Sequence, residues 1–118
     1  MGYNSFEDLE VWKRACQLAV RMYDALKDCR DYGLRDQMTG AAVSIPSNVA
    51  EGAERDSKAG YMRFLHIAKG SAAELRTRVY IAQRIGVFCE SQADEFINEL
   101  RELSAMLHGL IKSLKPTT

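Results

Sequence analysis

Apolar residues recur every three or four positions in four successive blocks of this chain, and that spacing predicts four amphipathic helices. In the first block Leu9, Trp12, Cys16, Ala19, Tyr23 and Leu26 share one face, with Lys13, Arg14, Arg21 and Lys27 off it. Core packing is the reading for Trp12 and Tyr23. Ser5 as N-cap, with Asp8 three positions on, predicts a start near Phe6; Gly33 supplies a terminator after an end near Cys29 or Arg30. The second block keeps a seam at Leu34, Met38, Ala41, Ile45, Val49 and Gly52. Pro46 lacks an N–H and its ring crowds the carbonyl four residues back, so a kink is expected there. Ile45, preceding a proline, is biased away from helical angles. Two short helices, 34–45 and 47–55, are the alternative to one kinked helix. The seam crosses the proline without changing phase, which favours the single helix.

The third block opens on Asp56 or Ser57 as cap, stops at Gly86, and carries the longest seam: Tyr61, Phe64, Leu65, Ala68, Ala72, Leu75, Val79 and Ala82. Gly70, Ser71, Ala72 and Ala73 make a small-residue patch in its middle. Gly70 costs roughly 1 kcal/mol of helix propensity against alanine, which a close approach by another backbone would offset. The fourth block alternates by four and three at Phe96, Leu100, Leu103, Leu107, Leu110 and Leu114. Ser91 with Asp94 gives it a capping pattern, Lys112 and Lys115 suit its last turn, and Pro116 ends it. No segment alternates as a strand does. The expected fold is all-α: one domain over 1–118, an antiparallel up-down-up-down four-helix bundle with helices at about 6–30, 34–55, 57–86 and 92–115, the second kinked at Pro46.

Composition narrows the classes. With 118 residues, 47% hydrophobic and 27% charged, the chain has the make-up of a soluble globular domain. Lys plus Arg equals Asp plus Glu at 16 each, so the basic excess of a dedicated nucleic-acid binder is missing, although a local basic stripe is compatible with that balance. Cys16, Cys29 and Cys89 are odd in number and widely spaced, which points away from a disulfide framework or structural zinc and toward reduced thiols. No basic-then-apolar leader opens the sequence, and no apolar run approaches the ~20 residues that span a bilayer. Met1-Gly2 resembles a myristoylation start, but Phe6 occupies the position where that pattern wants Ser or Thr. A cytoplasmic protein is expected, with no membrane partner.

Catalytic and metal chemistry find little support. A carboxylate-bridged di-metal bundle needs Glu-x-x-His on two helices, and this chain has none; His66 and His108 lie away from the apolar seams. No GxxxxGK[ST], GxSxG or GxGxxG is present, and Ser44, Ser47 and Ser71 have no histidine nearby in sequence to act as base. No cofactor, metal or catalytic residue is expected. The unusual feature is a polar row on the second helix: Gln37, Ser44, Asn48, Glu51 and Arg55, beside the seam rather than opposite it. Such rows fix register between helices, so a subunit interface is one reading. The other is a flank in which Ser44 and Asn48 compensate for the bond missing at Pro46. On the third helix Lys58, Lys69 and Arg76 share one side of the seam, a weak footprint for a polyanion, with solvated surface as the default.

These residues also carry a family resemblance. FEDLEVWKRACQLAVRMYDAL, GLRDQMTGAAVSIPSNVAEGAER and HIAKGSAAELRT, followed by a Leu-rich last helix, resemble the four-helix bundle family encoded in intervening sequences of bacterial 23S ribosomal RNA genes. The resemblance covers about Phe6 to Lys115. Its most specific pieces are Asp8-Leu9 with Val11-Trp12, the run from Ser44 to Gly52, and Ala68-Lys69-Gly70-Ser71 with Glu74-Leu75. It implies a closed homopentameric ring with a central channel and no established enzyme activity. It also implies kinship with the accessory variability proteins of diversity-generating retroelements, which are basic and work with a reverse transcriptase and RNA. Where the family often has a basic pair after Gln-Met, this chain has Thr39-Gly40. The resemblance makes Ser44, Asn48 and Glu51 candidates for helix-helix or subunit contacts.

The reading is a non-enzymatic homo-oligomeric scaffold or adaptor, with subunit-interface candidates Gln37, Ser44, Asn48, Glu51, Arg55, Gly70, Ser71 and Glu74. The alternative is an RNA- or DNA-binding accessory protein using a basic rim of Lys58, Lys69 and Arg76.

Overall fold

The computed structural model of the chain describes residues 5–116. Met1 and Gly2 lie outside them. A 3-10 turn at Phe6–Asp8 leads into four helices, α1 Glu10–Leu26, α2 Tyr32–Ala53, α3 Lys58–Arg84 and α4 Glu90–Leu114, with no strand among the described residues. The family of all-α four-helix bundles expected from the periodicity is what the chain forms.

Each helix packs on its sequence neighbour, most extensively α2 on α3 and α3 on α4, and α1 closes the ring of four against α4 through a thinner seam. The contacts give the directions. Ser44 meets Ser71 while Gly52 faces Phe64; Lys69 meets His108 while Tyr80 meets Arg101; Arg14 meets Glu99 while Arg21 meets Glu95. In every case the higher number on one helix meets the lower on its neighbour, so these pairs run in opposite directions. The core is a continuous apolar column: Leu18, Met22 and Leu26 from α1, Met38 and Ile45 from α2, Leu65 and Leu75 from α3, and Leu100, Leu103 and Leu107 from α4.

Several boundaries differ from the expected ones, each for a local reason. α1 begins at Glu10 rather than near Phe6, because Leu9 is extended (φ −73, ψ 126) and the Ser5 hydroxyl accepts from the Glu7 N–H, not from Asp8, capping only the 3-10 turn. That turn folds Phe6 back onto the Trp12 ring, centroids 5.3 Å apart and edge-on. α1 ends at Leu26, and Gly33 lies not after it but in the first turn of α2, whose N-cap Asp31 accepts from the Leu34 N–H at 3.1 Å. α2 runs unbroken through Pro46, so the two-helix alternative is overturned. Ser57 caps α3 as expected, accepting from the Gly60 N–H, and past its end Gly86 takes φ +83, where a side chain would be strained. α4 starts at Glu90, ahead of Ser91 and Asp94; its cap is Cys89, whose N–H donates to Gln92 Oε1 at 3.2 Å.

Two packing expectations also change. The buried face of α1 is Val11, Ala15, Leu18, Ala19, Met22 and Leu26, whereas Trp12 and Cys16 are half-buried and Tyr23 is 54% exposed. The close helix approach occurs at Gly52, where an added Cβ would lie 2.9 Å from Phe64 Cβ; at Gly70 nothing comes within 4 Å. Within the protomer, Gly70 is an exposed position with no neighbour to offset its helix penalty.

Thinness at the α1–α4 seam is relieved by side chains, the exposed Arg21–Glu95 pair and, more closely, Arg14. Arg14 donates through Nη2 to Glu99 Oε1 at 2.6 Å and to Glu102 Oε1 at 2.7 Å, and through Nε to Glu99 Oε2 at 3.1 Å. Hydrogen bonds to Glu99 and then Glu102 push the guanidinium pKa further above its already high ordinary value.

Candidate functional site

The polar row on α2 divides in two. Its inner half turns to α3: Ser44 Oγ and Ser71 Oγ are 2.9 Å apart, and the Asn48 amide donates to Ser44 Oγ at 2.9 Å and to the Ser44 carbonyl at 2.8 Å. The carbonyl that Pro46 leaves without its helical N–H belongs to Ala42, so the Asn48 amide does not replace that bond. It instead holds the Ser44 hydroxyl, which meets Ser71 and ties α2 to α3 inside one protomer. The row and the small-residue patch, offered from sequence as two surfaces, thus meet each other within the chain at Ser44 and Ser71, with Asn48 behind Ser44.

The outer half of the row is exposed. Arg55 pairs with Glu51 at 3.4 Å and lies 4.5 Å from the Phe64 ring centroid; Gln37 and Gly70 are exposed, and Glu74 pairs with Arg78 at 3.0 Å. Thr39 is buried and bonded to the Arg35 carbonyl at 2.9 Å, a place that suits a short hydroxyl and not a cation.

An apolar surface lies elsewhere, between α1 and α2. A cleft of about 400 Å³ is lined by Phe6, Trp12, Cys16 and Val20 on one side and Val43, Pro46 and Ala50 on the other. Val20 is 69% exposed and Val43 40%. Three of the residues assigned from sequence to the core face of α1, Trp12, Cys16 and Ala19, form part of its wall. α1 therefore carries two apolar stripes, one for the core and one for this groove. Sequence reading merged them and missed Val20 and Val43. The signal was available as apolar residues in excess of what one face of a helix can hold. A second exposed apolar ridge, Ile67, Ile81 and Ile85, follows the outer side of α3.

Of the basic candidates, Lys58 is exposed, Arg76 is partly exposed, and Lys69 donates to His108 Nδ1 at 3.3 Å. Both histidines are on the surface. Among the described residues, no group of three His, Cys, Asp or Glu is placed to hold a metal, and no helix is long and apolar enough to cross a membrane.

The thiols differ in character. The Gln92 backbone N–H and then the Ser91 hydroxyl pull the Cys89 pKa below its ordinary value, whereas burial in the groove wall pushes Cys16 up. More thiolate at neutral pH means faster alkylation. Iodoacetamide is therefore expected to label Cys89 well before Cys16, with the gap widening as pH falls. Peptide mass spectrometry of a time course checks this; equal rates would contradict it.

Comparison with known proteins adds the lineage. A family model described as 23S rRNA-intervening sequence protein matches residues 7–109. A crystal structure at 1.70 Å of a protein of unknown function from the S23 ribosomal protein family, from Bacteroides thetaiotaomicron VPI-5482, superposes with a TM-score of 0.82. It is 24% identical and covers 86% of this chain and 98% of its own, a likeness of fold. No curated protein matches.

Proposed function

Because the chain belongs to the 23S rRNA-intervening sequence protein family, we propose that it is a non-enzymatic scaffold whose protomers join into a closed ring, with a second copy of the chain covering the groove between α1 and α2. The groove carries this reading: side chains as apolar as Trp12, Val20, Val43 and Pro46 gather there at the surface. Contiguous apolar surface of this kind marks an interface more often than a solvated face. The occupant proposed is the Ile67, Ile81 and Ile85 ridge of a neighbouring protomer. Groove and ridge are different surfaces of one chain, as head-to-tail cyclic assembly requires. Gln37, Glu51, Arg55, Gly70 and Glu74 then become the polar rim of the contact. A ring of five follows the family resemblance.

The test is the mass in solution by light scattering, at low and high salt. A single species of about five times the 13.3 kDa protomer is expected. It should persist in high salt, since screening weakens exposed ion pairs and not apolar burial. A monomer at every concentration and salt would overturn the proposal.

A further inference from the structure

We infer that the face shared by α3 and α4 binds the phosphate backbone of a nucleic-acid strand. The inference goes beyond the scaffold reading and does not rest on it, because this face adjoins neither the α1–α2 groove nor the isoleucine ridge.

Segregation of charge carries the argument. Lys58, Lys69 and Arg76 are spaced eleven and seven apart on α3, and Arg101, His108, Lys112 and Lys115 are seven, four and three apart on α4, so each set forms one stripe. The cross-helix contacts Lys69–His108 and Arg101–Tyr80 set the stripes side by side. Between residues 58 and 76 the only carboxylate is Glu74, and between 101 and 115 the only one is Glu102. Both are engaged elsewhere, Glu74 with Arg78 at 3.0 Å and Glu102 with Arg14 on α1 at 2.7 Å. Among the described residues none of the six cations has a carboxylate partner within salt-bridge distance.

Two of these cations are positioned without being neutralised. Lys69 donates to an imidazole nitrogen, which must be unprotonated to accept, and Arg101 Nη2 donates to Tyr80 Oη at 3.2 Å. Their charge is left for an external anion. A net charge of zero does not oppose this, because the balancing acids lie elsewhere: Glu95 and Glu99 pair with α1, and Asp24, Asp36 and Glu51 pair with neighbours on α1 and α2.

The geometry also sets a length. Lys58 and Arg76 are separated by about 27 Å of helix, enough for about eight stacked nucleotides at the rise of a nucleic-acid strand. Glu90 and Asp94 continue the α4 stripe beyond Arg101 and reverse its sign, which bounds the footprint at that end.

Fluorescence anisotropy with a labelled single-stranded RNA of mixed sequence, and with its DNA counterpart, tests the inference. Both are expected to bind at low salt, with affinity falling steeply as salt rises. The triple variant Lys69→Glu, Arg101→Glu, Lys112→Glu should weaken binding by more than tenfold and lower the magnitude of the salt slope by about two, near 0.7 per lost phosphate contact. A control reversing three exposed charges on and just after α1, away from this face, Lys13→Glu, Lys27→Glu and Arg30→Glu, should keep near wild-type affinity. Circular dichroism melts establish that both variants fold. Stronger binding of RNA than DNA on the same residues would add a contact to the 2′-hydroxyl and support the inference. No binding at low salt, equal weakening in the two triple variants, or displacement of the RNA by polyglutamate as readily as by unlabelled RNA would overturn it. The last result would assign the face to an acidic protein.

Discussion

Gly52→Ala is expected to destabilise the bundle by about 1–3 kcal/mol, the usual cost of overpacking a well-filled interior. At this position α2 lies tightly against α3: an added Cβ would meet Phe64 Cβ at 2.9 Å, Tyr61 Cδ1 at 3.1 Å and the Tyr61 carbonyl oxygen at 3.1 Å. A flexible side-chain tip could yield; a Cβ and a carbonyl oxygen move only with their helix. Moving α3 would also loosen Arg55 on the Phe64 ring and strain the Ser44–Ser71 hydrogen bond further along. Gly70→Ala should act in the opposite direction. Nothing lies within 4 Å of its added Cβ, so the better helix former is expected to stabilise by up to about 1 kcal/mol. Denaturant titrations at one fixed protein concentration compare the pair, since coupling to assembly would otherwise shift the midpoints. A Gly52→Ala protein as stable as the parent would mean that the two helices can separate freely.

The groove variants should have the larger effect on assembly and almost none on the protomer. Val20 and Val43 are exposed in the single chain, so Val20→Asp with Val43→Asp is expected to change protomer stability by no more than about 0.5 kcal/mol each. In an assembly both valines would be covered, and burying a valine side chain is worth roughly 1.5 kcal/mol or more. Stranding a carboxylate there adds a desolvation cost. The two together should raise the dissociation constant between protomers by at least about a hundredfold, about 2.7 kcal/mol. Sedimentation across a dilution series reads that shift, and a thermal melt shows that the protomer persists. An unchanged mass would remove the groove from the interface.

How much was legible in the chain varied by helix, for physical reasons. α4 was plain because Phe96, Leu100, Leu103 and Leu107 share one face and are all buried, although Ile97 and Ile111, buried beside them, lay outside the expected seam. Its start was misplaced because a cysteine is a weak cap signal, and the bond that matters runs from the Cys89 N–H to Gln92. α1 was legible as a helix but not in phase. Two apolar stripes of the same period lie roughly 100° apart on it, one residue's rotation, and periodicity alone cannot tell a core from an exposed groove. The glycines show the same limit. Gly52 and Gly70 look alike in sequence, and only the neighbouring helix decides which one is crowded. The polar row could be seen, but its partner could not, because Ser44 and Ser71 are joined by tertiary packing across 27 positions.

The thin α1–α4 seam has a consequence for motion. α3 holds both α2 and α4 over long backbone approaches, while α1 leans on α2 and meets α4 over only a short approach, tied there by the side chains of Arg14 and Arg21. α1 is therefore the stave that lifts first when the barrel breathes, and its amides belong to the least protected unit of the fold. The groove lies along that same helix. A neighbour seated there would clamp the part of the protomer most prone to open, so that local opening of each subunit becomes a function of how many others are present.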